Sequence, residues 1–344
     1  MIRIKKPKIG LALGSGAARG LAHIGILKAL KEKNISIDML AGSSMGALVG
    51  AYYAKEGEIA NFEEMVLKAD WKQLIRLADP NLALLFRGFI HGQKVKELLR
   101  VIIGNIKFKD LKIPLAVVAT DVNTGEEVII KEGSVIEAVR ASISIPAIFM
   151  PVKFSAQGGS LPDRWQASAS DRRDRFLIDG GIVNPVPVKV VKDMGATVVI
   201  ACNVIQEPKK RKVIEKQRFS TPISKSQAKN VALLTLNNRI NKLIQENKNR
   251  IQKFQKFIDG IKERFYKRTQ RIDPNTPSIF DAIIQAIYAM EYEIAKLKVK
   301  EADIVISPDI GRIAALEFYR GKEAILKGYR AAMKVVPNIR ELIS

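Results

Sequence analysis

The chain is short of the residues on which much enzyme chemistry depends. Its 344 residues hold one cysteine, two histidines and two tryptophans. A single Cys202 excludes an intramolecular disulfide and any zinc site built from several thiolates, and it suits a reducing compartment. His23 and His91 leave little material for metal ligation, so neither a metal nor a cofactor is expected. No apolar run approaches the ~18 to 20 residues that span a bilayer. The opening MIRIKKPKIGLALG carries basic residues but no apolar stretch of signal-peptide length ahead of the first glycines. The expected location is therefore cytoplasmic, with room for peripheral contact at the inner face of the membrane. Acidic residues are scarce too, 35 against 57 Lys and Arg, for a formal charge of +22. Such an excess attracts anionic partners. It is concentrated in residues 207–273, where 19 basic residues meet 6 acidic ones.

What is present is a hydrophobic content of 47%, enough for a full core in a chain of this length. The first half alternates apolar runs with helical periodicity. IGLAL (9–13), IDMLA (37–41), PLAVVATDV (114–122), EEVII (126–130), FLIDGG (176–181) and ATVVIACNV (196–204) read as strands, and DIVISP (303–308) as another. Helices are expected over 19–33, after Ser44, over 278–300, and from beyond 308 to about Val335. Strands interleaved with helices predict a three-layer α/β/α sandwich with a mainly parallel central sheet. Residues 156–175, rich in Gly, Ser, Asp and Arg, are expected to form a mobile loop near the strand that ends in Asp179. Residues 207–275 break the α/β pattern. There Leu236, Ile240, Leu243, Ile251, Phe254, Ile258, Ile261 and Phe265 recur at steps of three and four, predicting a long basic amphipathic helix. The α/β domain then comprises 1–206 and 276–344, interrupted by that insertion.

Three short stretches carry candidate chemistry. Gly42-Ser43-Ser44-Met45-Gly46 matches G-x-S-x-G with Ser44 at its centre, between a buried strand and a helix. That context holds a serine hydroxyl above the strand end, beside the N–H groups that open a helix. Taken alone it equally describes a strand-to-helix turn with a serine at the cap. Gly14-Ser15-Gly16-Ala17-Ala18-Arg19-Gly20 also follows a strand and opens a helix, so its N–H groups suit an anion. A dinucleotide site would need an acid at the end of the second strand, where Ser44 and its elbow sit instead; Asp38 lies at that strand's start. The other reading is an oxyanion hole facing Ser44. A serine nucleophile needs a base. His23 sits among apolar residues on a helix and His91 in a loop, whereas Asp179 ends an apolar strand and is followed by Gly180 and Gly181. Burial would raise its proton affinity, and direct contact with the hydroxyl would help it take the serine proton. An Asp capping a turn is the plainer alternative.

Together and in this order, GSGAARG (14–20), GSSMG (42–46) and DGG (179–181), with Arg140-Ala141-Ser142-Ile143-Ser144-Ile145-Pro146 and onward to Pro151, resemble the patatin-like phospholipase family, specifically its compact bacterial members. The resemblance implies a lipid acyl hydrolase with a Ser–Asp dyad in place of a triad, acting on carboxylic esters of lipids. It assigns Ser44 as nucleophile, Asp179 as base and the backbone of Gly14, Ser15, Gly16, Ala17 and Ala18 as oxyanion hole. Arg19, Gly20, Gly42, Gly46, Gly180 and Gly181 support these motifs. The expected substrate is a lipid ester, with possible docking of 207–275 on anionic membrane. A different class stays open on charge alone: a basic regulatory or anion-binding protein with little or no esterase activity. No zinc-finger or base-stacking motif accompanies that charge, so nucleic acid is not an expected partner.

Overall fold

The computed structural model describes residues 7–69, 92–154, 175–207 and 279–344. All of these except Glu207 belong to one compact unit, Met1–Gln206 with Pro277–Ser344. The expected loop at 156–175 (but for Arg175), the basic insertion at 207–275 (but for Glu207) and His91 lie outside the described residues.

The glycine-flanked apolar runs form the sheet. Strands β1 (Ile9–Leu13), β2 (Met39–Ser43), β3 (Leu115–Asp121), β4 (Glu127–Ile130), β5 (Val152–Phe154), β6 (Arg175–Asp179), β7 (Val198–Cys202) and β8 (Ile304–Ile306) make one sheet in the order β5-β6-β3-β2-β1-β7-β8. β4 pairs with β3 off that path. β1, β2, β3 and β7 are buried on both faces, as near-continuous apolar runs in a covered parallel sheet should be. β2 starts two residues later than the sequence suggests. Asp38 does not join the strand; its carboxylate accepts the Ile9 N–H at 2.7 Å and starts the pairing with β1.

Alternation along the strands divides the core into two layers. Ile9, Leu11, Leu13, Leu40, Val117 and Ile200 face one way. They pack against α1 (Ala22–Glu32), α2 (Met45–Glu56), α4 (Gly92–Ile103), α5 (Val135–Ser142) and α8 (Gly321–Ile343), while α3 (Ala60–Lys68) adds Phe62 and Val66. Smaller residues face the other way: Ala12, Ala41, Ala116, Val118 and Ala201 meet α6 (Val188–Asp193) and α7 (Ile279–Lys298). The result is the expected α/β/α sandwich.

One expectation is corrected. α8 does not end near Val335 but runs through Pro337 to Ile343, because Val336 and Ile339 on its buried face hold the turn beyond the proline. The sheet is mainly parallel, as expected, with one pairing that bears on the site. β1, β2, β3, β7 and β8 are parallel, yet β6 runs antiparallel to β3. Asp179 therefore does not reach the site as one more C-terminal end on a parallel edge.

Candidate active site

The elbow after β2 is strained and held. Ser44 has φ 53° and ψ −121°, a conformation that costs a non-glycine residue roughly 1–3 kcal/mol unless its surroundings impose it. Its N–H donates to Ser142 Oγ on α5 at 2.8 Å. Its carbonyl accepts from Ala47 and Leu48 as α2 begins, at 2.9 and 3.2 Å. Gly46 lets that first turn press on the end of β1: a Cβ there would lie 2.2 Å from the Leu13 carbonyl oxygen. The Ser44 hydroxyl then points to Asp179 and donates to Oδ2 at 2.6 Å, with both residues buried.

Register explains how an antiparallel strand delivers the carboxylate. β3 outruns β2, and β6 comes back along it, pairing Leu177 with Asp121 and Asp179 with Ala119. Ser43 of β2 pairs with Val118, the neighbour of Ala119, so serine and aspartate meet at one level of the sheet. The Asp179 backbone is fixed on both sides: its N–H donates to the Ser144 carbonyl at 3.0 Å, and its carbonyl accepts from Thr120 Oγ1 at 2.7 Å. Oδ1 accepts from the Gly181 N–H at 2.7 Å. Burial pushes this carboxyl up to about 7, against the opposing pull of the bonds from Ser44 and Gly181. A carboxyl in that range suits proton exchange near neutral pH.

The glycine-rich loop lies between β1 and α1. Of the five N–H groups expected at an oxyanion, three donate inward: Gly14 to Cys202, Ser15 to Pro185 and Ala18 to Ala315, at 3.0, 2.7 and 3.0 Å. Among the described residues no carbonyl takes the N–H groups of Gly16 and Ala17. Ala17 has φ 47°, a second strained point beside them. His23 Nε2 donates to the Gly14 carbonyl at 2.8 Å, and burial pulls its imidazole down to about 4, so it is a neutral brace of the loop. Arg19 braces it as well, donating from Nε to the Ile313 carbonyl at 2.7 Å and lying 4.1 Å over the Tyr288 ring.

Sequence reasoning missed three contributors. Ser142 lies within the signature stretch, Thr120 within a strand, and Glu291 on α7 outside every motif. Ser142 and Ser144 sit in a polar island inside an apolar segment, which was a usable signal. Arg140, itself buried, donates to Ser144 Oγ at 2.5 Å and keeps that segment in place. Glu291 offers no such signal, since a glutamate within EYEIAK reads as ordinary helix surface. Among the described residues no group of His, Cys, Asp and Glu is placed to hold a metal ion, and no helix is long and apolar enough to cross a membrane.

Residues 11–192 match the family model described as patatin-like phospholipase. The chain belongs to the patatin-like phospholipase family. Among relatives, an uncharacterised NTE family protein of Mycobacterium tuberculosis is 34% identical over 198 residues, which is 58% of this chain and 49% of that one. The neuropathy target esterase of Drosophila melanogaster is 33% identical over 202 residues, 57% of this chain and 13% of that one. The chain thus spans about half or less of the length of the curated relatives it matches. Among solved structures, VipD from Legionella pneumophila aligns with TM-score 0.42 and 12% identity, covering 97% of this chain and 67% of that one. The glycine-rich loop from Gly14 on, the elbow and the DGG stretch of this patatin-like chain all lie inside the matched region. α7 lies beyond it.

Proposed function

We propose that this patatin-like protein is a lipid acyl hydrolase of the carboxylic-ester class, working through a Ser44–Asp179 dyad. The observation that carries the reading is the 2.6 Å hydrogen bond from the strained Ser44 to a buried carboxylate with no histidine between them. Ser44 Oγ attacks the ester carbonyl as its proton passes to Asp179 Oδ2. The tetrahedral oxyanion is received by the N–H groups of Gly16 and Ala17, helped by the N-terminal end of α2. One such donor is worth ~2.7–4 kcal/mol in the transition state. Collapse expels the alcohol, which takes the proton from Asp179, and leaves an acyl-enzyme. Asp179 then takes a proton from water, the hydroxide attacks the acyl carbon, and the acid departs as Ser44 regains its proton.

Family membership supports a lipid ester as substrate, and the Drosophila relative is itself named an esterase. The basic stretch 207–275 fits peripheral contact with anionic lipid, each Lys or Arg near such a surface adding about 1 kcal/mol. Flotation with anionic vesicles tests that part: equal binding after deletion of 207–275 would remove it. Hydrolysis of a medium-chain p-nitrophenyl ester by wild type, Ser44→Ala and Asp179→Asn tests the dyad. Activity in the wild type and none in either folded variant is the expected result. A wild type inert toward esters and vesicle lipids alike, with salt-dependent binding to polyanions, would favour the basic regulatory reading instead.

A further inference from the structure

α7 brings a second carboxyl to the back of the dyad, and the mechanism above gives it no task. Glu291 is only 8% exposed. Its Oε1 accepts a long hydrogen bond, 3.4 Å, from Ser15 Oγ of the glycine-rich loop. Both oxygens close on Gly181, where a Cβ would lie 2.4 Å from Glu291 Oε1 and 2.5 Å from Ser15 Oγ. The N–H of that same glycine holds Asp179 Oδ1. One residue without a side chain therefore separates this carboxyl from the base. The groups facing Glu291 are Asp179 from β6, Ser15 and Arg19 from the loop, and Tyr288 one turn earlier on α7. Arg19 is the cation among them, and it is already engaged with the Ile313 carbonyl and the Tyr288 ring.

We propose that Glu291 is a positioning residue that works as a neutral acid, accepting the Ser15 hydroxyl to hold the glycine-rich loop against Gly181 and disabling the site when it ionises. The proposal rests on the dyad reading above. Two buried carboxyls this close do not readily carry charge together. Burial and the Asp179 charge push Glu291 up to about 8, against the pull of Ser15 and Arg19, while Asp179 stands at about 7. The pair thus loses its first proton to make the base and its second at higher pH. The second charge sits beside a loop whose free N–H groups await an oxyanion, and it opposes the negative charge that develops there.

Thermal unfolding of wild type and Glu291→Gln between pH 5 and pH 8.5 tests the first half without any activity. A buried acid whose folded pKa is raised stabilises the fold most at low pH, and that contribution is lost as pH climbs through the folded value. Glutamine has no proton to lose. The Tm of the variant should therefore rise relative to wild type by several degrees across this range. A difference that shrinks or reverses would mean that Glu291 is the ionised partner of Arg19, and the proposal falls. Activity by pH-stat tests the second half. Wild-type kcat/KM should fall about tenfold per pH unit on the alkaline side. Glu291→Gln should lose several-fold in kcat at pH 7.5 but show no such fall up to pH 9.5. The same alkaline fall in the variant would overturn the positioning role. Should Glu291→Gln not fold, Ser15→Ala decides: it removes a donor that favours the ionised carboxylate, so the alkaline limb must move to higher pH. A limb that stays or moves down refutes the proposal. Ser44→Ala runs alongside. Activity retained there would sink the dyad itself, while the Tm comparison would still stand on its own.

Discussion

Replacing Asp179 by Asn should abolish hydrolysis and, at neutral pH and above, stabilise the fold. The carboxyl is 2% exposed and its proton affinity is raised by burial from 3.8 to about 7. Because the folded state holds this proton more tightly than the unfolded chain, the stability it contributes is complete below pH 3.8. It is lost as pH rises toward 7. The difference is about three units, and at about 1.4 kcal/mol per unit it sets a ceiling of ~4 kcal/mol. Asn has the shape of the neutral acid. Its Oδ1 can still accept from Gly181, and its amide can donate to Ser44 once the hydroxyl rotates. Glu291, no longer facing a charge, would ionise more readily and trim the gain. A net stabilisation of ~2–3 kcal/mol at pH 8 is the working figure, or roughly 4–8 °C in Tm for a chain of this size. At pH 4 the variant and wild type should melt nearly together. Loss of the base should cost on the order of 10²–10⁴ in kcat. The assay is paired melting at pH 4 and pH 8 with ester turnover on the same preparations. A variant less stable than wild type at pH 8, or equally stabilised at both pH values, would refute the claim that desolvation dominates at Asp179.

Three further outcomes follow from the contacts around the dyad. Ser142→Ala leaves the Ser44 N–H buried without its acceptor, costing ~1–3 kcal/mol of stability, and the relaxed elbow should lower kcat far more than it raises KM. A Ser142→Ala enzyme with unchanged kcat would show that α5 does not hold the elbow. Gly46→Ala drives a methyl into the Leu13 carbonyl and should destabilise the chain by ~2–4 kcal/mol, read by denaturant midpoint; a neutral effect would contradict the tight approach of α2 to β1. His23→Phe drops one hydrogen bond to the loop and should cost about 1 kcal/mol of stability and a few-fold in kcat. The acid limb of the pH profile should stay where it is in that variant, because His23 is neutral throughout; a displaced limb would implicate it in proton transfer.

Legibility from sequence tracked how local each determinant is. IGLAL and VVIAC announce buried strands because five consecutive apolar residues have no other use beside glycines and short helices. The serine elbow is equally local, since Gly42 and Gly46 permit the approach that the turn demands. The end of α8 is less local: the helix passes Pro337 because Val336 and Ile339 are buried against the rest of the core. The direction of β6 was hidden for a similar reason. DGG after an apolar run looks the same whether the strand rises or descends, and only its pairing with β3 decides. Glu291 lies 247 positions from Ser44 in the numbering, on a helix whose sequence is that of an ordinary amphipathic segment.

That antiparallel pairing makes the dyad a property of register more than of strand ends. Along a strand, side chains alternate faces, so a slip of one residue between β3 and β6 would turn Asp179 away from Ser44. β6 is only five residues long, and its ladder to β3 pairs only Asp179, Ile178 and Leu177. So short a ladder specifies register weakly, and side chains must supply the rest. Thr120 Oγ1 grips the Asp179 carbonyl from β3, and the Ser144 carbonyl takes the Asp179 N–H from the segment that Arg140 holds in place. The same segment supplies Ser142 to the elbow. α5 and the residues just after it therefore set both halves of the proposed dyad at once, fixing the backbone of Ser44 and that of Asp179 through Ser142 and Ser144. A helix that touches neither Ser44 Oγ nor Asp179 Oδ2 thereby helps determine how far apart they stand.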